Sequence, residues 1–202
     1  NAESGEVMVM ATSPTFDANT LEENWENWKI DPSSPLLNRS TQGQYPAGTA
    51  TGGLLLSSLL ASKNLPALSP EQEWSTDAQN ILYCTQNPGS DPSWESLIIS
   101  GCNRSFNMLK YYLGRNTLTN IYQNFGLYTQ PELTITQTTP TIEDSVDKSK
   151  ADDANDLLVS PLQLAAAYAA LSNGGHSVSP ILATAFTYGD DHWSLFPSDS
   201  AP

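Results

Sequence analysis

Residues 44–63 run QYPAGTATGGLLLSSLLASK, and the fold turns on how this stretch is read. Pro46-Ala47-Gly48 has turn chemistry, with proline fixing one φ angle and glycine freeing another. From residue 50 to residue 63 the chain is an apolar helix. Its start is weak, because Gly52 and Gly53 fall in the first turn, where glycine costs about 1 kcal/mol relative to alanine.

Upstream, residues 6–13 begin with alternating apolar positions and read as a strand that Pro14 ends. Residues 16–45 read as irregular and polar, with Trp25 and Trp28 as anchors to the core. Downstream, residues 64–77 form a polar connection rich in proline and acids, and residues 81–85 a short strand. Asp91-Pro92-Ser93 is a helix start for residues 94–99. A helix over 105–113 stops at Gly114, and Asn116 caps another over 117–125 that ends at Gly126. Residues 129–156 have no helical period and read as a long surface excursion. Ser160-Pro161-Leu162-Gln163 is a capping box with proline at the first helical position. The Ala-rich helix it opens, ending at Asn173-Gly174, reads as a central buried one, and residues 181–187 follow as a short strand.

Composition narrows the functions available. The 202 residues suffice for one domain with a real core. Hydrophobic residues make up 39% and charged residues 15%, and the net charge is −14. So acidic a chain repels nucleic acid and anionic lipid, which are bound mainly through Lys and Arg. No stretch approaches 18 apolar residues, so no membrane insertion is expected of this segment. Asn1-Ala2 reads as a possible tag remnant. Cys84 and Cys102 have no neighbouring histidine and make a poor metal site; a disulfide and two separate thiols are both compatible with the sequence. His176, after Asn173-Gly174-Gly175, reads as an exposed loop residue. No metal or other cofactor is implied.

Four segments, taken in order, resemble the transpeptidase domain of penicillin-binding proteins. They are residues 5–19 (GEVMVMATSPTFDAN), 35–48 (PLLNRSTQGQYPAG), 100–114 with 116–127 (SGCNRSFNMLKYYLG and NTLTNIYQNFGL), and 157–175 (LLVSPLQLAAAYAALSNGG) with Ser179-Pro180-Ile181-Leu182 after it. The resemblance implies an α+β fold related to serine β-lactamases, here partial: a helical subdomain plus a reduced antiparallel sheet, with residues 1–202 as a single incomplete domain. The family performs acyl transfer. A serine in Ser-x-x-Lys attacks the carbonyl, and the lysine, one helical turn on, takes its proton. A Ser-x-Asn motif adds a hydroxyl and an amide, and a Lys-Thr-Gly or Lys-Ser-Gly strand completes the pocket.

This chain departs from that pattern at each motif. Where the resemblance puts the nucleophile and the lysine stand Thr49 and Gly52. Thr49 stays protonated at neutral pH without a base beside it, and reads as a helix cap. Ser-x-Asn is replaced by Gly101-Cys102-Asn103, so the hydroxyl is lost; Asn103 reads as serving local backbone groups. Ser100 lies one position early, turned about 100° away if helical. No Lys-Thr-Gly or Lys-Ser-Gly occurs. Ser145-Val146-Asp147-Lys148 matches Ser-x-x-Lys as a bare pattern, but it sits in an acidic excursion rather than at the head of an apolar helix. The Asn-Arg-Ser sequons at Asn38 and Asn103 fall within family-like segments and read as coincidences. The acid pairs Glu22-Glu23 and Asp152-Asp153 read as solvated surface.

The expectation is a catalytically inactive transpeptidase-like domain with a scaffolding or binding role in peptidoglycan synthesis. Its partners would be a peptidoglycan stem peptide or cell-wall synthesis proteins. It would sit on the extracytoplasmic face of a bacterial membrane, with its anchor outside this segment. The competing reading is an active acyltransferase using Thr49, which needs a Lys or Glu brought within reach. Lys63 does not qualify, since it lies roughly 20 Å further along the same helix.

Overall fold

A computed structural model describes residues 1–68, 75–77, 83–129, 133, 157–187, 189 and 192–195. The organising element is helix α2, Gly52–Ser62, entered through a 3-10 turn at Gly48–Thr51. Leu54, Leu55, Leu56 and Leu59 are all buried. So broad an apolar face has to be covered, and α3 (Trp94–Ile99), α4 (Asn103–Asn124) and α5 (Pro161–Ser172) all pack on it. Phe106, Leu109, Leu118, Ile121, Tyr122 and Ala167 join its leucines in one core cluster. Each such leucine, fully removed from water, contributes about 1.5–3 kcal/mol. Trp94 is buried as well, and its indole N–H donates to the Pro66 carbonyl at 2.7 Å. That bond fastens the chain leaving α2 onto α3.

Sheet structure among the described residues is slight. Strand β1 (Tyr45–Pro46) pairs antiparallel with β2 (Leu158–Val159), in the register Tyr45↔Val159. Strand β3 (Ala185–Phe186) pairs antiparallel with β4 (Ser194–Leu195). The strand read over residues 6–13 is reduced to a parallel bridge between Glu6 and Ile181, closed by Val7 N–H on the Ile181 carbonyl (2.9 Å) and Ile181 N–H on the Gly5 carbonyl (2.9 Å). Met8 and Val9, apolar and next in line, are exposed. Among the described residues of 81–85, only Tyr83 bridges, to Ser75.

The region read as irregular contains helix α1, Leu21–Ile30. Leu21, Trp25 and Trp28 stand at i, i+4 and i+7, a helical period, and Glu22 and Glu23 suit the positive end of the helix dipole. The tryptophans do not reach the main core: Trp28 packs on Phe16 at 5.4 Å between ring centroids, and Trp25 is largely exposed. Helix α4 merges the two helices read separately, with a break at Gly114 (φ 68°, ψ 164°) where the stop was placed. Helix α5 is less central than its alanines suggest. Gln163, Ala167 and Ala170 are buried, while Leu162, Ala165, Ala166 and Ala169 face a groove shared with Gly5, Glu6 and Val7.

The capping box is present in full. Ser160 Oγ accepts from Gln163 N–H (3.2 Å), and Gln163 Oε1 accepts from Ser160 N–H (2.8 Å). The Gln163 amide also donates to the Thr129 carbonyl at 2.7 Å, tying the end of the α4 region to the head of α5. Ser160→Ala is expected to cost about 1 kcal/mol in urea unfolding. Gln163→Ala is expected to cost more, because it also releases Thr129; equal losses would show that this second tie contributes nothing.

Candidate functional site

The head of α2 is held from three directions. Ala47 N–H donates to the Leu157 carbonyl at 2.8 Å, which joins the turn to the β1–β2 pair. The buried Thr51 hydroxyl donates to the Gly48 carbonyl at 3.0 Å and lies 3.3 Å from the Tyr122 hydroxyl on α4. Tyr168 on α5 donates its phenol to the Ala50 carbonyl at 2.7 Å. Gly48 sits at φ +47°, and 3-10 geometry carries the chain from there into α2.

Thr49 sits inside that 3-10 turn, half-buried. It is not a cap, since Ala47 precedes the turn and Thr51 occupies the cap position of α2. Its carbonyl accepts from Gly52 N–H. Among the described residues its hydroxyl has no hydrogen-bond partner, basic or otherwise.

Gly52 is buried, and a side chain there would press on its neighbours. A Cβ there would come 3.0 Å from Ile98 Cγ2, 3.2 Å from Ile98 Cδ1 and 3.7 Å from the Phe106 ring. Ile98 belongs to α3 and Phe106 to α4, on either side of the second motif, so this packing brings residues 49–52 and 101–103 to one region. A Cβ on Gly53 would come 2.7 Å from the Tyr168 hydroxyl. The glycines that weaken this helix start thus let α3, α4 and α5 approach it closely.

The second motif lies at the α3–α4 junction and is built around backbone. Gly101 has φ +63°, and a Cβ on it would fall 2.5 Å from Thr85 Oγ1. Serine is therefore disfavoured there on both conformational and steric grounds. Thr85 Oγ1 donates to the Ser100 carbonyl at 2.7 Å, and Gln86 N–H donates to the same oxygen at 3.1 Å. Ser100 is the buried C-cap of α3, not part of α4, so the helical-offset argument for its orientation does not hold. Cys84 and Cys102 form a disulfide, which resolves the alternative left open by the sequence. Asn103 opens α4; its backbone N–H donates to the Tyr83 carbonyl at 3.1 Å. Its side chain is exposed and, among the described residues, hydrogen-bonds to none, contrary to the expected local role.

Sequence reading missed Tyr122 and Tyr168, the two phenols that brace the turn. Burial pushes the Tyr122 phenol up to about 12, opposed by the Thr51 hydrogen bond and assisted by nearby Tyr128. Burial raises Tyr168 too, opposed by the Gly53 backbone. Neither is a base at neutral pH. Their only sequence signal is helical spacing: Tyr122 falls in register with the apolar Leu118. Ser145 and Lys148 lie outside the described residues.

The family model of the penicillin binding protein transpeptidase domain matches residues 1–198. Among curated proteins, the peptidoglycan D,D-transpeptidase PbpA of Mycolicibacterium smegmatis is 25% identical over 198 residues, covering 88% of this chain and 40% of that protein. PbpA of Mycobacterium tuberculosis has the same identity and coverage. Among solved structures, penicillin-binding protein A of M. tuberculosis as its ceftriaxone acyl-enzyme complex superposes with a TM-score of 0.69 at 23% identity, over 91% of this chain and 46% of that one. Pseudomonas aeruginosa PBP2 superposes with a TM-score of 0.68 at 21% identity, over 100% and 48%. The chain spans less than half the length of these relatives.

Gly52→Lys is expected to destabilise the protein by about 1–3 kcal/mol, as overpacking does. Adding Ile98→Ala should recover part of that loss; an additive double variant would place the strain elsewhere. Tyr122 gives a test in alkali. Its pKa is raised on folding, so its contribution is fully present below pH 10 and is lost as pH rises towards about 12. The stability difference between the wild type and Tyr122→Phe should fall by about 2–3 kcal/mol over that window in denaturant titrations. A constant difference would mean the phenol is not shielded.

Proposed function

Given that this chain belongs to the penicillin-binding protein transpeptidase family, we propose that it serves peptidoglycan synthesis as a binding or scaffolding domain without performing acyl transfer. The observation that carries this reading is Gly52, which supplies no side chain and is closely packed by Ile98. Acyl transfer by a hydroxyl needs a base within hydrogen-bond reach of the nucleophile. Position 52 offers no side chain, and even a Cβ there would press on Ile98. Thr49 is held by its backbone, and no described base touches its hydroxyl. The second motif lacks its hydroxyl as well, and Gly101 is in a conformation that suits glycine. Motif positions Thr49, Gly52, Gly101 and Asn103 are accordingly assigned to scaffold geometry rather than chemistry.

The proposed partners are a peptidoglycan stem peptide or a cell-wall synthesis protein, on the extracytoplasmic side of a bacterial membrane. Residues 1–202 are read as one transpeptidase-like unit. No helix among the described residues is long and apolar enough to cross a membrane, so the proposed anchor lies outside them.

Intact-protein mass spectrometry after incubation with a reactive penicillin tests the reading. The expected result is an unchanged mass for protein verified as folded by circular dichroism. A gain of one drug, mapped to Thr49 by peptide sequencing, overturns it and establishes an active acyltransferase with a base outside the described contacts.

A further inference from the structure

The chain has a net charge of −14, yet residues 7–16 and residues 157–189 hold no Asp, Glu, Lys or Arg. The fold brings these two neutral stretches together. Met8 and Val9 line a groove of about 340 Å³ with Leu162, Ala166 and Ala169 of α5 and with Val178. The charged groups of its lining are Glu6 and the Asn1 ammonium, and both are bonded locally. The ammonium donates to the Glu6 carbonyl at 2.8 Å, and the Glu6 carboxylate accepts from Ser4 at 3.0 Å.

The same segment presents a strand edge that its own chain leaves open. Its two ends are tied down. Val7 N–H and the Gly5 carbonyl bond to Ile181 at one end. At the other, the Ala11 carbonyl accepts from Ser40 Oγ at 3.0 Å and Thr12 Oγ1 accepts from Arg39 N–H at 3.2 Å. Main-chain groups of an extended segment alternate between its two edges. With Gly5, Val7 and Ala11 committed to the rest of the chain, Met8 and Met10 address the opposite side. Among the described residues the main chain of Met8, Val9 and Met10 makes no hydrogen bond. The side chains of Met8 and Val9 are 81% and 83% exposed. An apolar edge with unpaired amides and carbonyls is a template for another strand, and one fixed at both ends loses little freedom on pairing.

Charge and symmetry select the occupant. A neutral surface offers a charged partner little to pair with, and two copies of so acidic a chain repel least where both are neutral. We propose that this edge pairs antiparallel with the same edge of a second copy, about a twofold axis at Val9 that sets Met8 of each copy opposite Met10 of the other. That register joins the outward groups of Met8 and Met10 in hydrogen bonds and brings the two Val9 side chains together. It also puts Glu6 opposite Thr12, so no like charges meet. A pairing this short makes a transient dimer, not an obligate one. None of its residues belongs to the head of α2.

Sedimentation equilibrium of the full chain, up to about millimolar concentration, tests the proposal. The expected result is a reversible monomer–dimer equilibrium that strengthens with added salt, since screening relieves the repulsion between two acidic copies. Val9→Lys, at an exposed position, places two ammonium groups face to face and should weaken the dimer more than about tenfold. Tyr111→Lys, at a comparably exposed position and with the same change of charge, should not weaken it. Oxidation checks the register. Cys84 and Cys102 are joined to each other, so an introduced thiol has no native partner. Val9→Cys should give a disulfide-linked dimer, because facing residues that exchange no hydrogen bond lie about 4.5 Å apart at Cα, within disulfide range. Met8→Cys, whose two copies stand out of register, should not. A dimer that salt dissociates, a dimer that Val9→Lys leaves intact, or crosslinking through Met8→Cys and not Val9→Cys would overturn the proposal. So would a strict monomer at every salt concentration, which would leave the edge to an extended segment of a different protein.

Discussion

Three helices come close to one face of α2 because two consecutive positions on it have no side chains. Ile98 from α3 and Phe106 from α4 lie over Gly52, and Tyr168 from α5 lies over Gly53. Interiors are packed as densely as organic crystals, so a contact at this range cannot be loosened at one point without moving its neighbours. The glycines cost the helix intrinsic propensity, and the buried Leu54, Leu55, Leu56 and Leu59 beyond them offset it.

That constraint also bears on the proposal that the chain performs no acyl transfer. Any side chain at position 52 would bring its Cβ within 3.0 Å of Ile98 Cγ2, closer than packed side chains ordinarily come. At the second motif Thr85 fills the space beside Gly101 in the same way, and its hydroxyl is bonded to the Ser100 carbonyl. Gly52 and Gly101 are thus both set closely into the packing around them.

Much of this was legible in the sequence where the signal was local. The capping box at Ser160, the helix start at Ser93 and the glycine stops at 114 and 126 correspond to features of the structure, because capping and positive φ are decided within a few residues. Order of motifs carried the family, and motif position flagged Thr49, Gly52, Gly101 and Asn103. Illegible were the properties that depend on distant partners. Alanines on α5 could not reveal which of their faces would be covered, and Tyr122 gave no sign that it would meet Thr51. Helix α1 is a different failure: Leu21, Trp25 and Trp28 had the period, but the surrounding acids and asparagines masked it. The segment at residues 6–13 looked like a strand because alternation marks a two-faced surface, while strand formation needs a neighbour along its length.

The bridge between Glu6 and Ile181 joins points near opposite ends of the described chain. A contact of such sequence separation closes a very long loop, and the entropy of that closure is lost before the contact gives anything back. The α2–α3–α4 assembly is made of contacts much nearer in sequence and can form without it. The N-terminal segment is thus expected to dock late in folding and to detach early in unfolding. In native-state hydrogen exchange, the Val7 and Ile181 amides would open at lower free energy than the amides of α2.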